Sequence, residues 1–250
     1  MEKLKICTFN LRVISEHDGI NIFHNRKDRI LSAINEHSPD IIGFQEALDP
    51  MREFLRGSLK EYTLIGCGRN ADYRGEGVPI AFKTDKFELI RHECFWLSPT
   101  PDVPGSRYED QSQCPRVSTA VLLSPREGEP FWFINTHLDH KSSSARVLGA
   151  NHLVKYILGL KENFVLTGDF NAGPESDEIA VITSNNRIKN ATKNIGGTFH
   201  GFGRISTETM RQIDYIFTDM EISEAFAIQD EPQSGIYISD HRPVIACVEK

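Results

Sequence analysis

Six short polar clusters in this chain carry the residue types that bind metal ions and hydrolyse esters. The clusters are Asn10, Gln45-Glu46, Asn135 to Asp139, Asp169 to Asn171, Asp214 and Asp240-His241. The first four directly follow apolar runs, whereas Asp214 and Asp240 directly precede them. Carboxylate and amide oxygens are the ligands that hard cations such as Mg²⁺ prefer, and histidine moves protons near neutral pH. Together these side chains indicate metal-assisted hydrolysis.

Hydrolysis of a phosphoester assigns a first set of roles to these clusters. The reaction needs a cation that offsets the charge of the phosphate, and a water molecule oriented for attack. Glu46 and Asn10 offer oxygen ligands for Mg²⁺, and Asp240 is expected to complete the shell directly or through water. Asp169 is the candidate that orients or deprotonates the attacking water.

The remaining polar residues supply hydrogen-bond donors. Asn171 is expected to donate an amide hydrogen bond to the phosphate, and His241 to donate to a non-bridging oxygen while Asp214 holds and charges it. His137 is a second acid or donor, paired with Glu76.

Three further residues are candidates for binding the substrate. Arg116 and Arg69 carry guanidinium groups that suit phosphate geometry, although each could equally form a surface ion pair. His200, between Phe199 and Phe202, is expected to form a platform that stacks and donates to a base or sugar. The alternative places the two rings in the core and His200 in a loop.

The apolar patterns predict a mixed fold of many strands and few helices. Strands are predicted near residues 3–10, 40–45, 62–67, 78–83, 87–97, 117–123, 131–138, 163–168, 213–218, 223–228 and 243–249, and helices near 26–37, 50–59, 144–160 and 176–184. Segments 98–116 and 185–212 fit no pattern and are expected to be functional loops. This order favours two packed sheets with helices outside them.

The position of each cluster relative to its strand also predicts topology. Polar residues follow the strands that end at Asn10, Glu46, His137 and Asp169, but they precede the strands after Asp214 and after 240–241. If the last two strands run antiparallel to the first four, all six clusters lie at one edge. Any one cluster alone has a structural explanation, such as a turn or a surface ion pair. Six clusters that meet at one edge are instead typical of a functional site.

Composition limits the classes of partner and substrate. The chain has 250 residues, a length that a single domain over 1–250 accommodates, and a net charge of −7. This acidity argues against a broad grip on long nucleic acid and favours a small phosphorylated molecule, a nucleotide or a short oligonucleotide. The odd count of 5 cysteines predicts a reducing, cytoplasmic location. No leader pattern, membrane span or protein partner is expected.

The clusters, in their order along nearly the whole chain, resemble the motifs of the endonuclease/exonuclease/phosphatase superfamily. The motifs are Phe9-Asn10-Leu11-Arg12, Gln45-Glu46, Asn135-Thr136-His137-Leu138-Asp139, Gly168-Asp169-Phe170-Asn171, Ile213-Asp214-Tyr215 and Ser239-Asp240-His241-Arg242-Pro243. The resemblance implies a four-layered α/β sandwich and Mg²⁺- or Mn²⁺-dependent hydrolysis of a phosphodiester or phosphomonoester. It implies metal binding by Asn10, Glu46 and Asp240. It implies catalysis by His137, Asp169, Asn171, Asp214 and His241, with Glu76 as partner of His137.

Other segments are similar to a bacterial, nocturnin-like branch of that superfamily. They are Gly66-Cys67-Gly68-Arg69, Gly75-Glu76, Phe95-Trp96-Leu97-Ser98, Cys114-Pro115-Arg116 and Gly197-Thr198-Phe199-His200-Gly201-Phe202. Two alternatives to a small-molecule phosphoesterase remain open at this point. One is an endonuclease or exonuclease acting on DNA or RNA, and the other is a non-catalytic, metal-binding interaction module.

Overall fold

Two six-stranded sheets form the centre of the protein in the computed structural model, which describes residues 3–249. The first sheet has the order β11 (Glu221–Ala227), β12 (Val244–Glu249), β1 (Lys3–Asn10), β2 (Ile41–Gln45), β4 (Ile80–Lys83) and β3 (Tyr62–Ile65). The second has the order β5 (Phe87–Trp96), β6 (Val117–Pro125), β7 (Phe131–His137), β8 (Asn163–Asp169), β10 (Asp214–Thr218) and β9 (Lys189–Asn190). Apolar side chains of both sheets share one core. The predicted sandwich is confirmed.

Helices cover the outer face of each sheet. The helices are α1 (Phe23–His37), α2 (Asp49–Ser58), α3 (Ser143–Leu158) and α4 (Asp177–Thr183). The first two pack through residues such as Ile34 and Leu55 on the first sheet, and the last two through residues such as Leu153 and Ile179 on the second. The Ser142 hydroxyl caps α3 by accepting a hydrogen bond from the Ala145 nitrogen at 3.1 Å.

Strand directions bring the predicted clusters to one edge. Strand β1 runs parallel to β2 and antiparallel to β12. In the second sheet, β7 runs parallel to β8, and β10 runs antiparallel to β8. The ends of four strands and the beginnings of two therefore meet at the same edge, which confirms the predicted topology. The register places both His137 and Asp214 beside Asp169.

A buried polar network joins the two sheets directly below this edge. The Asn135 side-chain oxygen accepts hydrogen bonds from Gln45 Nε2 at 2.7 Å and from Thr167 Oγ1 at 3.0 Å. The Asn135 amide nitrogen donates across the interface to the Phe44 carbonyl at 2.7 Å. A Cβ atom at Gly43 would lie 2.6 Å from Asn135 Oδ1, so only glycine fits there. Because buried polar groups require partners, this network fixes the offset between the sheets.

Two short elements were not predicted from the sequence. A 3₁₀ helix spans Glu16–Asn21, and the two-residue strand β9 lies inside segment 185–212. Segment 98–116 contains no helix or strand, as expected. Within residues 3–249, no helix has the length and apolar character needed to cross a bilayer.

Candidate active site

The polar edge forms a pocket of about 520 Å³ whose walls come from both sheets. The lining includes Glu46, Asp240 and His241 from the first sheet and its loops, and His137, Asp169 and Asn171 from the second. Asn10 and Asp214 lie just beneath this lining, each 1% exposed. The structure therefore brings together these eight residues predicted from the sequence, and three more of them, Arg69, Glu76 and Arg116, also line the pocket.

Asp169 occupies the centre of the pocket. One oxygen, Oδ1, accepts a hydrogen bond from the Asn171 backbone nitrogen at 2.8 Å, and Oδ2 accepts one from Asn10 Nδ2 at 2.9 Å. The Nε2 atoms of His137 and His241 lie 3.5 and 3.8 Å from Oδ2. Burial, reinforced by the charge of Asp214, raises the pKa of Asp169 to about 7. A carboxylate with a pKa near the working pH suits a general base.

His241 and Asp214 form a buried pair on the floor of the pocket. His241 Nδ1 lies 2.9 Å from Asp214 Oδ2. Burial alone lowers the pKa of His241, but the negative charge of Asp214 and of the neighbouring carboxylates raises it well above the usual value. His241 is therefore an imidazolium at neutral pH, with its second nitrogen available as a donor.

Glu46 is held by two hydrogen bonds and by an unusual backbone conformation. Its oxygens accept from Asn10 Nδ2 at 3.1 Å and from the Val13 nitrogen at 2.6 Å. Its φ angle is +58°, and those of Arg12 and Asn171 are +57° and +50°. Non-glycine residues with positive φ are strained and collect at functional sites, where the surrounding fold maintains them.

The Asn10 side chain acts as a hydrogen-bond donor. Its oxygen accepts from the Arg12 backbone nitrogen at 2.8 Å, so its nitrogen faces the carboxylates of Glu46 and Asp169. Metal coordination through Asn10 Oδ1, as predicted, would require the side-chain amide to flip by about 180°, which exchanges its oxygen and nitrogen.

The carboxylates fit a divalent cation. Ligand atoms of Glu46, His137 and Asp169 lie within 4.8 Å of one another. Burial and the nearby charge of Glu46 raise the pKa of Asp240, whereas Arg12, whose Nε lies 3.7 Å from Oδ2, acts in the opposite direction. A cation in the pocket would further favour the ionised carboxylate. Several oxygen donors beside an open pocket suit Mg²⁺ or Mn²⁺.

The predicted pairing of His137 with Glu76 is wrong. Glu76 instead binds Arg69 through two hydrogen bonds of 2.8 and 2.6 Å, because a bridge between Gly68 and Gly77 folds the loop back on itself. Burial keeps Glu76 partly desolvated and raises its pKa. The ion pair lines the pocket beside the metal-competent carboxylates.

His137 has Asn171 as its hydrogen-bond partner. Its Nε2 lies 3.0 Å from Asn171 Nδ2, which also donates to the Leu138 carbonyl at 3.1 Å. Burial and the charges of Arg116 and Arg69 lower the pKa of His137 well below the usual value. His137 is therefore neutral, and it accepts the amide hydrogen. Both amide hydrogens of Asn171 have acceptors, and within residues 3–249 its side-chain oxygen has no hydrogen-bond donor, so the oxygen is the group left to meet a ligand.

Arg116 lies in the wall of the pocket and is only 4% exposed. Its Nη2 lies 2.8 Å from His140 Nδ1, and its Nε lies 3.5 Å from Asp139 Oδ2. Nε has no hydrogen-bond partner among the residues of the described chain. The guanidinium therefore places positive charge in the pocket wall, which suits an anionic ligand.

His200 does not form the predicted stacking platform. Its ring is buried and packs on Tyr237 with centroids 5.1 Å apart, and its Nδ1 accepts from the Gly203 nitrogen at 3.0 Å. Only Phe199, of the three residues in the proposed platform, lines the pocket, and its ring centroid lies 4.9 Å from that of His241. The Phe202 ring instead lies against Arg26. The sequence could not separate these outcomes because all three residues share one irregular segment.

Several functional candidates escaped the sequence analysis. The pocket is also lined by Arg12, Val13, Lys141, Arg146 and Arg211. Arg211 and Gly173 also line a neighbouring depression of about 860 Å³ over α4. The two spaces are therefore neighbours that share part of their walls. Arg12 lies in the quoted motif Phe9-Asn10-Leu11-Arg12 but received no role there, and the other basic residues lie outside every motif, so the sequence did not predict this wall.

The sequence and the fold of this chain are similar to those of known proteins. Residues 7–241 match the model of the Endonuclease/Exonuclease/phosphatase family. A member of that family from Bacteroides vulgatus is similar in structure, with 33% identity, a TM-score of 0.94 and coverage of 100% of this chain and 99% of the other. A mannosyl-6-phosphatase from Bacteroides thetaiotaomicron is 28% identical, with a TM-score of 0.88 and coverage of 98% and 100%.

Two further similarities are lower in sequence identity or in coverage, and they support less about this chain. An uncharacterized protein of Acanthamoeba polyphaga mimivirus is 27% identical over 160 residues, which are 60% of this chain and 59% of that protein. The human Nocturnin catalytic domain is 19% identical, with a TM-score of 0.75 and coverage of 99% and 93%. Identity at that level shows a shared fold, so membership of a nocturnin-like branch stays a prediction.

Proposed function

Because the chain belongs to the endonuclease/exonuclease/phosphatase family, we propose that it is a divalent-metal-dependent phosphoesterase acting on a small phosphorylated molecule. The observation that carries the proposal is the position of Asp169 between groups of the other sheet. Asp169 ends a strand of the second sheet, and its Oδ2 accepts a hydrogen bond from Asn10 of the first sheet. The same oxygen lies 3.8 Å from Nε2 of the charged His241, which precedes strand β12 of the first sheet. A base and an electrostatic donor thus face one pocket.

Glu46 would hold the cation, with Asp240 beside it and Asn10 joining if its amide turns. Mg²⁺ or Mn²⁺ suits this oxygen-rich set. When bound, such an ion supplies positive charge that offsets the charge developing on the phosphate and the departing oxygen. The hydrogen bond from Val13 and the strained φ of Glu46 keep its carboxylate aimed at the pocket.

Asp169 would accept the proton of the attacking water. The hydrogen bonds from Asn10 and from the Asn171 backbone fix the direction of its carboxylate. The free side-chain oxygen of Asn171 would accept the second hydrogen of that water, while His137 holds the amide from behind. This differs from the donor role expected from sequence, since both amide hydrogens already have acceptors.

His241 would donate from Nε2 to a non-bridging oxygen of the phosphate. Asp214 keeps the ring charged and oriented through Nδ1. A fixed cationic donor in a buried site stabilises the transition state more than the ground state, because it needs no reorganisation. Arg116 and Arg69, in the adjoining wall, would contribute positive charge for anion binding.

A small phosphorylated substrate fits the charge of the protein. The net charge is −7, which disfavours contact with a long polyanion. Among basic residues of the irregular segments, Arg116 is buried and Lys189 pairs with Glu221 at 2.5 Å, so neither extends a basic surface. The similarity to a mannosyl-6-phosphatase supports a phosphomonoester of a sugar or another small alcohol. The depression beside Arg211 offers room for the body of such a molecule.

A screen of purified protein tests this function. The panel contains hexose phosphates, nucleotides, short RNA and DNA, and phospholipid head groups, each with Mg²⁺, Mn²⁺ or chelator. We expect metal-dependent release of phosphate from one class of small phosphoester. Preferred cleavage of oligonucleotides would replace this substrate assignment with a nuclease. Cation binding without turnover of any member would support the non-catalytic module.

A further inference from the structure

Thr198 links the two segments that carry Asp214 and His241. Its backbone nitrogen donates to the carbonyl of Arg211 at 2.9 Å, and its carbonyl accepts from the nitrogen of Arg242 at 2.7 Å. These partners lie three residues before Asp214 and one residue after His241. Thr198 is fully buried and does not line the pocket. It therefore bridges the pair from behind.

Only one assignment of donors and acceptors fits the three hydrogen bonds of the Thr198 hydroxyl. Its oxygen lies 3.1 Å from the Ile213 nitrogen and 3.2 Å from the Asp214 nitrogen, and both of these backbone groups are donors. A hydroxyl has two acceptor positions and one hydrogen. Both acceptor positions are filled, so the hydrogen points to Asp214 Oδ2, 2.5 Å away.

The Asp214 carboxylate is consequently bound on one side. Oδ2 accepts from both Thr198 and His241, whereas Oδ1 is buried and has no hydrogen-bond partner within the described part of the chain. Rotation of the carboxylate plane away from this orientation would break both bonds at once. The threonine hydroxyl therefore helps to fix the plane of the carboxylate, so that one of its oxygens faces His241.

We infer that Thr198 is a positioning residue for the hydrolysis, because its hydroxyl holds Asp214 in the orientation that His241 requires. The inference rests on the proposed function, since positioning matters to rate only if His241 acts on a phosphate. Thr198 touches no substrate and works through Asp214. A hydrogen bond to a buried charged group is among the stronger ones in proteins, so its loss should be measurable in the rate.

Two substitutions separate the hydroxyl from the methyl group. Thr198→Val keeps the branched shape and removes the hydroxyl, whereas Thr198→Ser keeps the hydroxyl and removes the methyl group. We expect Thr198→Val to lower kcat by about 10- to 100-fold with little change in KM, the loss expected for one hydrogen bond to a charged group. We expect Thr198→Ser to stay within about 3-fold of the wild type. Thr198→Ala replaces the valine variant if that variant fails to fold, as judged by thermal unfolding.

A double-mutant cycle shows whether Thr198 acts through Asp214. In an Asp214→Asn background, Thr198→Val should change kcat much less than it does in the wild type, because the carboxylate that it positions is gone. Equal losses in both backgrounds would overturn the inference. Equal losses for Thr198→Ser and Thr198→Val would do the same, because they would assign the effect to packing.

Proton NMR tests the geometry without any turnover. The His241 Nδ1 proton, assigned by its absence in His241→Ala, should appear at low field in the wild type and in Thr198→Ser. It should move upfield or exchange away in Thr198→Val. An unchanged resonance in folded Thr198→Val would overturn the inference. If the wild type hydrolyses nothing, the proposed function fails, and this resonance still decides whether Thr198 orients Asp214.

Discussion

The amide nitrogen of Asn10 lies 2.9 Å from Asp169 Oδ2, and this hydrogen bond crosses between the two sheets at the centre of the site. The same nitrogen lies 3.1 Å from Glu46 Oε1. One neutral donor thus separates the carboxylate that would hold the cation from the carboxylate that would activate water. In this geometry Asn10 reduces the repulsion between two negative charges.

Asn10→Asp tests that separation by placing a third carboxylate between Glu46 and Asp169. The variant should unfold at a lower temperature than the wild type in chelator, because like charges then face each other in a buried site. Mg²⁺ should raise its Tm more than that of the wild type, since the cation relieves more repulsion. Asn10→Ala, which adds no charge, is the control. Equal Tm values for Asn10→Asp and wild type in chelator would contradict this account.

Glu46→Gln tests the proposed metal ligand independently of catalysis. A ligand that binds only the folded state stabilises it, by about 2.7 kcal/mol at a concentration 100 times Kd. Mg²⁺ or Mn²⁺ should therefore raise the Tm of the wild type, and this rise should disappear in Glu46→Gln. The exposed Glu53→Gln on α2 serves as the matched control and should retain the full rise. A rise that persists in Glu46→Gln would place the ion elsewhere.

Asp214→Asn should lower kcat by roughly 10²- to 10⁴-fold, the range seen when a buried carboxylate partner of a working histidine is neutralised. His241 would lose the charge that keeps it protonated and oriented. KM should change much less, because His241 is proposed to act on the transition state. Asp28→Asn, exposed on α1, is the control and should behave like wild type. Wild-type kcat in Asp214→Asn would remove the pair from the mechanism.

Gly43→Ala tests the network that holds the two sheets in place. Its Cβ would clash with the Thr167 hydroxyl and lie 2.6 Å from Asn135 Oδ1. The free energy of unfolding should fall by roughly 1–3 kcal/mol, as for overpacking in a core. Gly57→Ala, in helix α2 with nothing within 4 Å, should be neutral or stabilising by up to about 1 kcal/mol. Equal unfolding midpoints in denaturant for the two variants would argue against a tight interface.

The strands and their common edge could be predicted because they depend on local patterns. Runs such as 131–134 and 164–167 are buried strands in both the sequence pattern and the structure. The antiparallel direction of β10 and β12 followed from the position of Asp214 and Asp240 before their strands.

The partners of side chains in irregular loops could not be predicted in the same way. Glu76 was assigned to His137, yet Arg69, seven residues away in a folded-back loop, takes its carboxylate. Thr198 lies in the quoted segment Gly197-Thr198-Phe199-His200-Gly201-Phe202, but nothing in that segment points to Asp214 as its partner. The contact appears only in the structure, where segment 198–201 lies against Asp240 and Asp214. Loop conformation, which depends on the whole fold, decides such contacts.

The most direct test compares wild type with Asp169→Asn in an assay of p-nitrophenyl phosphate and bis-(p-nitrophenyl) phosphate with Mg²⁺ or Mn²⁺. The wild type should release nitrophenol from at least one of them, and chelator should stop the release. Asp169→Asn, which keeps the shape of the side chain and removes the base, should lose at least about 10³-fold in rate while unfolding at a similar temperature. Full activity of folded Asp169→Asn, or hydrolysis that is indifferent to chelator, would contradict the account.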